Sequence, residues 1–157
     1  MQNLEWLDVV ARLFSAVAAG AILGINRDLH HKPAGLRTHA LVSLGSAMVV
    51  VVAASISEAS AETVGRAIQG LVTGVGFIGA GVILHRDAEL RVVGLTTAAS
   101  IWVAAALGIA CGGGDWVVAL LGLALTLAVL VFGGPIERAW GRRLHADQSA
   151  DRPDSES

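Results

Sequence analysis

The sequence predicts an all-α polytopic membrane protein with five transmembrane helices, and three observations support this fold class. Hydrophobic residues make up 54% of the chain and charged residues only 15%, whereas a soluble domain is about 45–50% apolar and a quarter charged. The apolar residues are gathered in runs long enough to cross a bilayer. The 19 glycines are typical of helices that pack closely in lipid. We expect one transmembrane domain over residues 1–145 and a disordered polar cytoplasmic tail over residues 146–157.

The first span must include a charged residue. Its fully apolar part, residues 13–25, is too short for a hydrocarbon core of about 30 Å, so the helix has to contain Arg12. Asp8 lies four residues earlier, on the same helix face, and is the expected partner of Arg12. Residues 1–11 contain no Lys or Arg, which favours an uncleaved span over a signal peptide.

Short polar connections separate the later spans. Gly133-Gly134-Pro135 is expected to end the fifth span. Residues 136–145 then read as a short basic surface helix with Trp140 as its anchor. The five predicted spans are about Leu4–Ile25, Leu36–Ile56, Arg66–Leu84, Thr96–Ala110 and Trp116–Phe132.

A segment of the chain recurs at an offset of 59 residues, between 20–40 and 79–99. This offset covers two membrane crossings, so the two copies have the same orientation. We therefore predict a parallel internal repeat of helix hairpins 1–2 and 3–4. The matching residues are Gly20-Ala21 with Gly79-Ala80, Arg27-Asp28 with Arg86-Asp87, Gly35-Leu36 with Gly94-Leu95, Thr38 with Thr97, and Ala40 with Ala99.

The positive charges predict the orientation. If the loop at 26–37 is cytoplasmic, nine of the eleven Lys and Arg residues lie on that side and two on the other. The larger set is Arg27, Lys32, Arg37, Arg86, Arg91, Arg138, Arg142, Arg143 and Arg152, and the smaller set is Arg12 and Arg66. This asymmetry predicts an N-terminus outside and a C-terminus in the cytoplasm.

Glycines are concentrated in the third span, where they predict close helix contacts. At 100° per residue, Gly70, Gly74 and Gly81 share one face, and Gly76 and Gly79 lie on another. Two smooth faces would let two neighbouring backbones approach, so we expect the third span to be a central helix.

The repeated Asp28 and Asp87 have two interpretations. In the favoured one, each carboxylate meets the free N–H groups in the first turn of the following span and braces its hairpin. In the alternative, the two carboxylates form a cytoplasmic Mg²⁺ site, which the neighbouring Arg27 and Arg86 oppose. No carboxylate lies in residues 13–25 or in spans two to five, which argues against an ion-coupled transporter.

The remaining polar residues predict no chemistry. His30, His31 and His39 lack a supporting set of ligands, and we expect solvated loop histidines rather than a metal site. Cys111 is expected to act as a small apolar residue at a helix end. Catalytic motifs are absent from the sequence, so we expect a non-enzymatic protein without a cofactor and without a nucleic-acid partner.

The chain resembles the MgtC/SapB family of bacterial inner-membrane proteins. The resemblance rests on Lys32-Pro33-Ala34-Gly35-Leu36-Arg37-Thr38-His39, on residues Gly74 to Ile83, and on Val93-Gly94-Leu95-Thr96-Thr97-Ala98-Ala99. It implies a five-span domain in the inner membrane, association with growth at low Mg²⁺ and, in pathogens, survival inside macrophages. One family member is regarded as a regulator of the F-type ATP synthase, and direct Mg²⁺ transport is not the usual view.

Two departures from the family pattern limit this resemblance. Asn26-Arg27-Asp28 stands where the family often has Glu-Arg-Glu, which weakens any shared acidic site. Many members also carry a soluble C-terminal domain that this sequence does not include. The favoured function is binding to another membrane protein. The resemblance names the F-type ATP synthase as one candidate partner, and a second copy of this chain is the other. The process served would be Mg²⁺ or ion homeostasis, or stress and virulence-type adaptation. The alternative is a small cation transporter or channel that uses Asp28 and Asp87.

Overall fold

The computed structural model describes residues 6–56, 60–83 and 93–150. They form five α-helices: α1 (Trp6–Leu29), α2 (Leu36–Ser55), α3 (Ala61–Ile83), α4 (Leu95–Gly113) and α5 (Trp116–Ala150). Each helix is long and apolar enough to cross a membrane, and no strand occurs among the described residues. The predicted fold class is thus confirmed. The internal repeat is not confirmed, because the second Arg-Asp loop, with Arg86 and Asp87, lies outside the described residues.

The packed centre of the bundle lies between α1, α2 and α4, and four glycines make its closest contacts. A Cβ on Gly20 would meet the backbone of α2 at His39, and one on Gly24 would meet it at Leu36. In α4, a Cβ on Gly108 or Gly112 would likewise meet the α2 backbone. Because a side chain at any of these sites would push two helices apart, glycine sets the helix spacing here.

The contacts also give the helix directions. Gly20 and Gly24 meet progressively earlier residues of α2, so α1 and α2 are antiparallel. Gly108 lies on Ser43 and Gly112 on Ala47, so α2 and α4 run parallel. The C-terminal end of α1 and the N-terminal ends of α2 and α4 therefore lie at the same end of the bundle, which we call the Arg27 end.

Two helices end in the same hydrogen-bonded turn. At the end of α1, the N–H groups of His31 and Lys32 donate to the carbonyls of Asp28 and Arg27, both at 3.0 Å. His31 takes a positive φ of 51° to close this turn, a conformation that usually selects glycine. At the end of α4 the corresponding position is Gly114, with φ of 80°.

The structure corrects the prediction for α3. A Cβ built on Gly79 would lie 3.5 Å from the Ala98 Cβ of α4, but no described residue lies within 4 Å of a Cβ built on Gly70, Gly74, Gly76 or Gly81. Only Val75 and Gly79 of α3 are buried. Within this chain α3 is therefore a peripheral helix, and the central positions belong to α1, α2 and α4. The glycine pattern correctly marked a smooth helix surface, but it did not reveal whether this chain covers that surface.

The structure also corrects the predicted end of the fifth span. Helix α5 continues through Gly133-Gly134-Pro135 to Ala150, so those residues do not terminate it and residues 136–145 are not a separate helix. The residues of the predicted disordered tail up to Ala150 are helical, and residues 151–157 lie outside the described part, as does the side chain of Trp140. The chain divides into two units, residues 1–123 and residues 124–157.

Candidate functional site

Five buried polar side chains lie together at the Arg27 end of the bundle, and we call them the buried polar cluster. They come from three helices that this cluster joins. Its members are Arg27 of α1, His39 and Ser43 of α2, and Thr97 and Ser100 of α4, none of them more than 4% exposed. Polar and ionisable groups inside membrane proteins are costly and are usually retained for function, so this cluster is the candidate site.

Arg27 is a buried cation that reaches from one helix to another. It lies in the last turn of α1, where the partial negative charge of the helix C-terminus stabilises a cation. Its Nη2 donates to Thr97 Oγ1 at 2.8 Å. Among the described residues its Nε is buried without a hydrogen-bond partner, and the ion pairs involve only Arg12 with Asp8 and Arg66 with Glu62. Buried charge without a counter-charge is unfavourable, so the guanidinium retains capacity for an anion.

His39 connects α2 to α4 through a shared hydroxyl. Its Nδ1 lies 2.9 Å from the Gly35 carbonyl, which can only accept, so Nδ1 carries a proton. Its Nε2 lies 3.1 Å from Ser100 Oγ, and that oxygen also lies 2.8 Å from the Thr97 carbonyl. The single Ser100 hydroxyl proton can be donated to only one of these two acceptors. If His39 is neutral, its Nε2 is an acceptor and competes with the Thr97 carbonyl for this proton. If His39 is an imidazolium, Nε2 donates to Ser100 Oγ, and the hydroxyl remains free to donate to the Thr97 carbonyl.

The first turn of α2 is occupied by a carboxylate. Asp28 Oδ2 accepts a hydrogen bond from the Leu36 N–H at 2.9 Å, and the Asp28 carboxylate packs against Gly35, where a Cβ would overlap it. The prediction that Asp28 meets the first turn of the second span is therefore confirmed. The corresponding prediction for Asp87 lies outside the described residues. Asp28 acts here as a helix cap, which leaves less of its charge for a metal ion.

The first turn of α4 carries no such group among the described residues. Its N-cap, Gly94, has φ of 99° and offers no side chain to accept a hydrogen bond. The first backbone bond of the helix runs from the Ala98 N–H to the Gly94 carbonyl at 2.9 Å. The N–H groups of the three preceding residues therefore point toward the Arg27 end without a helical partner.

A second arginine joins α1 to α4 at the opposite end of the bundle. Arg12 Nε pairs with Asp8 at 2.8 Å, which confirms the predicted partner. Its Nη1 also donates to the Gly112 carbonyl at 2.8 Å, and a Cβ built on Gly114 would lie only 3.0 Å from its Nη2. Arg12 thus satisfies a carbonyl at the C-terminus of α4. This second contact could not be predicted from the sequence, because it joins residues 100 positions apart.

The structure places the other predicted residues unevenly. His30 and His31 are exposed, as expected, but His39 is fully buried. The prediction of a solvated loop histidine is therefore wrong for His39, because α2 begins at Leu36 and turns this side chain toward α4. Lys32, Pro33 and Arg37 are exposed, and Gly35 and Thr38 are partly buried. Ser43 and Ser100 were not identified from the sequence. The feature that could have indicated them is a hydroxyl side chain within a mostly apolar span.

Comparison with known proteins assigns the family. The MgtC family model matches residues 13–139, which is most of the chain and includes every member of the buried polar cluster. The chain belongs to the MgtC family. No solved structure matches it significantly.

Curated relatives of this MgtC family chain are longer proteins. Protein SrpB of Synechococcus elongatus is 45% identical over 69% of this chain and 66% of its own length. The putative magnesium transporter YhiD of Escherichia coli is 44% identical over 78% of this chain and 58% of its own. Protein MgtC of Brucella abortus is 41% identical over 66% of this chain and 42% of its own. The chain therefore spans between 42% and 66% of the length of these relatives.

Proposed function

We propose that this chain is a non-enzymatic protein of the bacterial inner membrane that binds another membrane protein through α3, in Mg²⁺ or ion homeostasis or in stress and virulence-type adaptation. The observation that carries the proposal is the open face of α3. At 100° per residue, Phe77 shares a face with Gly70, Gly74 and Gly81, and the Phe77 side chain is 83% exposed. A projecting ring between glycines is a shape that a second helix can match.

In a membrane, a helix face of this kind favours contact with another helix. Lipid tails are as apolar as the side chains, so helices associate in the bilayer by close packing at small residues rather than by hydrophobic burial. Glycines that no described residue of this chain contacts can be covered by a helix of another chain. The resemblance to the MgtC/SapB family makes the F-type ATP synthase one partner to test, and a second copy of this chain is another.

Site-specific photo-crosslinking tests the proposal. A crosslinking residue replaces Phe77, and the matched control replaces Leu120, a similarly exposed position of α5. We expect one discrete crosslinked band from position 77 that Gly74→Leu abolishes while the protein stays folded. Equal, diffuse crosslinking from both positions would show that both helices face lipid and would contradict the proposal.

The orientation belongs to the same proposal, with the N-terminus outside and the C-terminus cytoplasmic. The support is the nine-to-two distribution of Lys and Arg. In a Cys111→Ser background, His30→Cys should react with a membrane-impermeant thiol reagent only after the membrane is opened. Labelling of His30→Cys in intact cells would show that the orientation is the opposite one and would contradict this part of the proposal.

A second candidate is a small Mg²⁺ or other cation transporter that uses Asp28 and Asp87. Its support is the similarity to YhiD, which is named a putative magnesium transporter, and the recurrence of Arg-Asp in the sequence. The capping bond from Leu36 to Asp28 counts against it. Mg²⁺ flux into proteoliposomes that Asp28→Asn with Asp87→Asn abolishes would favour transport, whereas flux that persists in the double variant would exclude these carboxylates as the pathway.

A further inference from the structure

We propose that Arg27 and the first turn of α4 form a binding site for a phosphate-type oxyanion at the Arg27 end of the bundle. This inference is independent of the proposed partner binding through α3, since it concerns different helices and different residues. The ligand chemistry is that of an inorganic phosphate or of the phosphate in a lipid headgroup. These two sources share the same oxygens and are separated by the experiment below.

The first observation is an unsatisfied N–H group on a buried guanidinium. Arg27 is 4% exposed, and its Nε has no hydrogen-bond partner among the described residues. Its Nη2 contact with Thr97 directs the guanidinium to the first turn of α4. The planar guanidinium presents N–H groups in a fork that matches the spacing of oxyanion oxygens, which favours phosphate over a spherical anion such as chloride.

The second observation is the helix end that this guanidinium reaches. Helix α4 has 19 residues, and its first-turn N–H groups have neither a helical partner nor a side-chain cap from Gly94. Leu95 and Thr96 are exposed at this end, so an anion can approach them. Backbone N–H groups and the helix macrodipole together favour negative charge at such a terminus.

The neighbouring helix shows what this arrangement accepts. Helix α2 also begins after a glycine, Gly35, which likewise offers no side-chain cap, and runs parallel to α4. Its first turn is occupied by an anionic group, the Asp28 carboxylate, 2.9 Å from the Leu36 N–H. At α4 the same type of helix end lies beside the buried Arg27, and among the described residues no carboxylate caps it. A bound oxyanion would satisfy the N–H groups of α4 and balance the charge of Arg27 at once.

The experiment is a thermal melt of the full chain in a nonionic detergent, titrated with inorganic phosphate at an ionic strength held constant with sodium chloride. We expect a rise in melting temperature that grows with the logarithm of the phosphate concentration and reaches roughly 5–10 °C at a hundredfold excess over Kd. Arg27→Gln should abolish the rise. Arg37→Gln is the matched control, because it removes the same charge from an exposed side chain at the same end and should leave the rise intact.

Two further variants keep the test decisive if Arg27→Gln does not fold. Arg27→Lys keeps the charge but loses Nε and the planar fork, and Thr97→Val removes the hydroxyl that positions the guanidinium. Each should raise the phosphate Kd at least tenfold. Equal weakening by Arg37→Gln would mean nonspecific charge attraction and would overturn the proposal.

The source of the anion is resolved with lipid. The same melts are run in nanodiscs of phosphatidylcholine alone and of phosphatidylcholine with one-fifth phosphatidylglycerol. Protection by phosphatidylglycerol that Arg27→Lys removes identifies a lipid headgroup, and a response to inorganic phosphate alone identifies a free anion. Both support the site. The site is refuted if neither protects the native chain, or if phosphate protects only an Asp87→Asn variant, because a carboxylate of the chain would then hold the position.

Discussion

Replacing Gly108 by alanine tests the packing of α2 against α4 most directly. A Cβ at position 108 would lie 2.8 Å from both the Ser43 carbonyl carbon and the Ser46 Cβ, with the Ser43 carbonyl oxygen closer still. Ordinary carbon contacts lie at about 3.5–4.0 Å. Since the obstacle is largely backbone, no side-chain rotation can relieve it, and the two helices must separate by about 1 Å.

The cost of that separation follows from what joins the helices. A gap of about 1 Å forfeits a quarter to a half of the dispersion energy at each lining contact. The His39 to Ser100 bond, already 3.1 Å long, would be stretched beyond hydrogen-bonding range, which costs roughly 1–3 kcal/mol for buried groups. With overpacking, the expected loss of unfolding free energy is about 2–4 kcal/mol, or a fall in melting temperature of roughly 5–15 °C.

The assay compares Gly108→Ala with Gly74→Ala in purified protein by thermal melting in detergent. Both changes add one methyl group to a helix interior, but a Cβ at position 74 meets nothing within 4 Å. Gly74→Ala should therefore be neutral or stabilising by up to about 1 kcal/mol. Equal melting temperatures for the two variants, or a larger loss at position 74, would refute the assignment of α2 and α4 to the centre and α3 to the periphery.

Three further predictions concern the ends of the helices. Asp28→Ala removes the acceptor of the Leu36 N–H and should lower the unfolding free energy by about 0.5–1 kcal/mol, measured by thermal melting. Arg12→Met removes the bond to the Gly112 carbonyl and the ion pair at once, and should cost about 1–3 kcal/mol in the same measurement. His31→Gly relieves the positive φ at the end of α1 and should raise the melting temperature, by about 1 kcal/mol of stability.

Each of these changes has a matched control. Asp28→Asn keeps an oxygen acceptor and should retain most of the stability that Asp28→Ala loses. Arg66→Met breaks an exposed ion pair on α3 and should change the melting temperature little. His30→Gly, one residue before the positive φ, should not stabilise the protein, and a gain there equal to that of His31→Gly would refute the turn geometry.

The features that follow from one helix at a time could be predicted from the sequence. The length of the apolar runs was enough to predict five spans, and the four-residue spacing was enough to pair Arg12 with Asp8. The meeting of Asp28 with the first turn of α2 needs only a short loop, a carboxylate and the unsatisfied N–H groups of a helix end. These interactions are local, so the sequence contains the distances that decide them.

The features that depend on which helices become neighbours could not be predicted. Gly70 and Gly74 have the same four-residue spacing as Gly108 and Gly112, but among the described residues only the second pair lies against another helix. Arg27 was expected in the loop at 26–37, and its burial arises only because α4 starts beside the end of α1. Pro135 removes one backbone donor from α5, yet the helix continues through it, since in a membrane span the helical ladder remains the best partner for the remaining backbone groups.

The two arginines that join α1 to α4 have a consequence for motion. Arg12 and Arg27 are 15 residues apart on α1, and their partners Thr97 and Gly112 are 15 residues apart on α4, a length of about 22 Å on each helix. Because the two connections are equally spaced on antiparallel helices, sliding α1 along α4 by even one turn would break both together. A piston-like displacement of α1 is thereby disfavoured, and a signal that crosses the membrane through residues 6–113 must instead tilt or rotate α1 and α4 as one body, or move α3 against them.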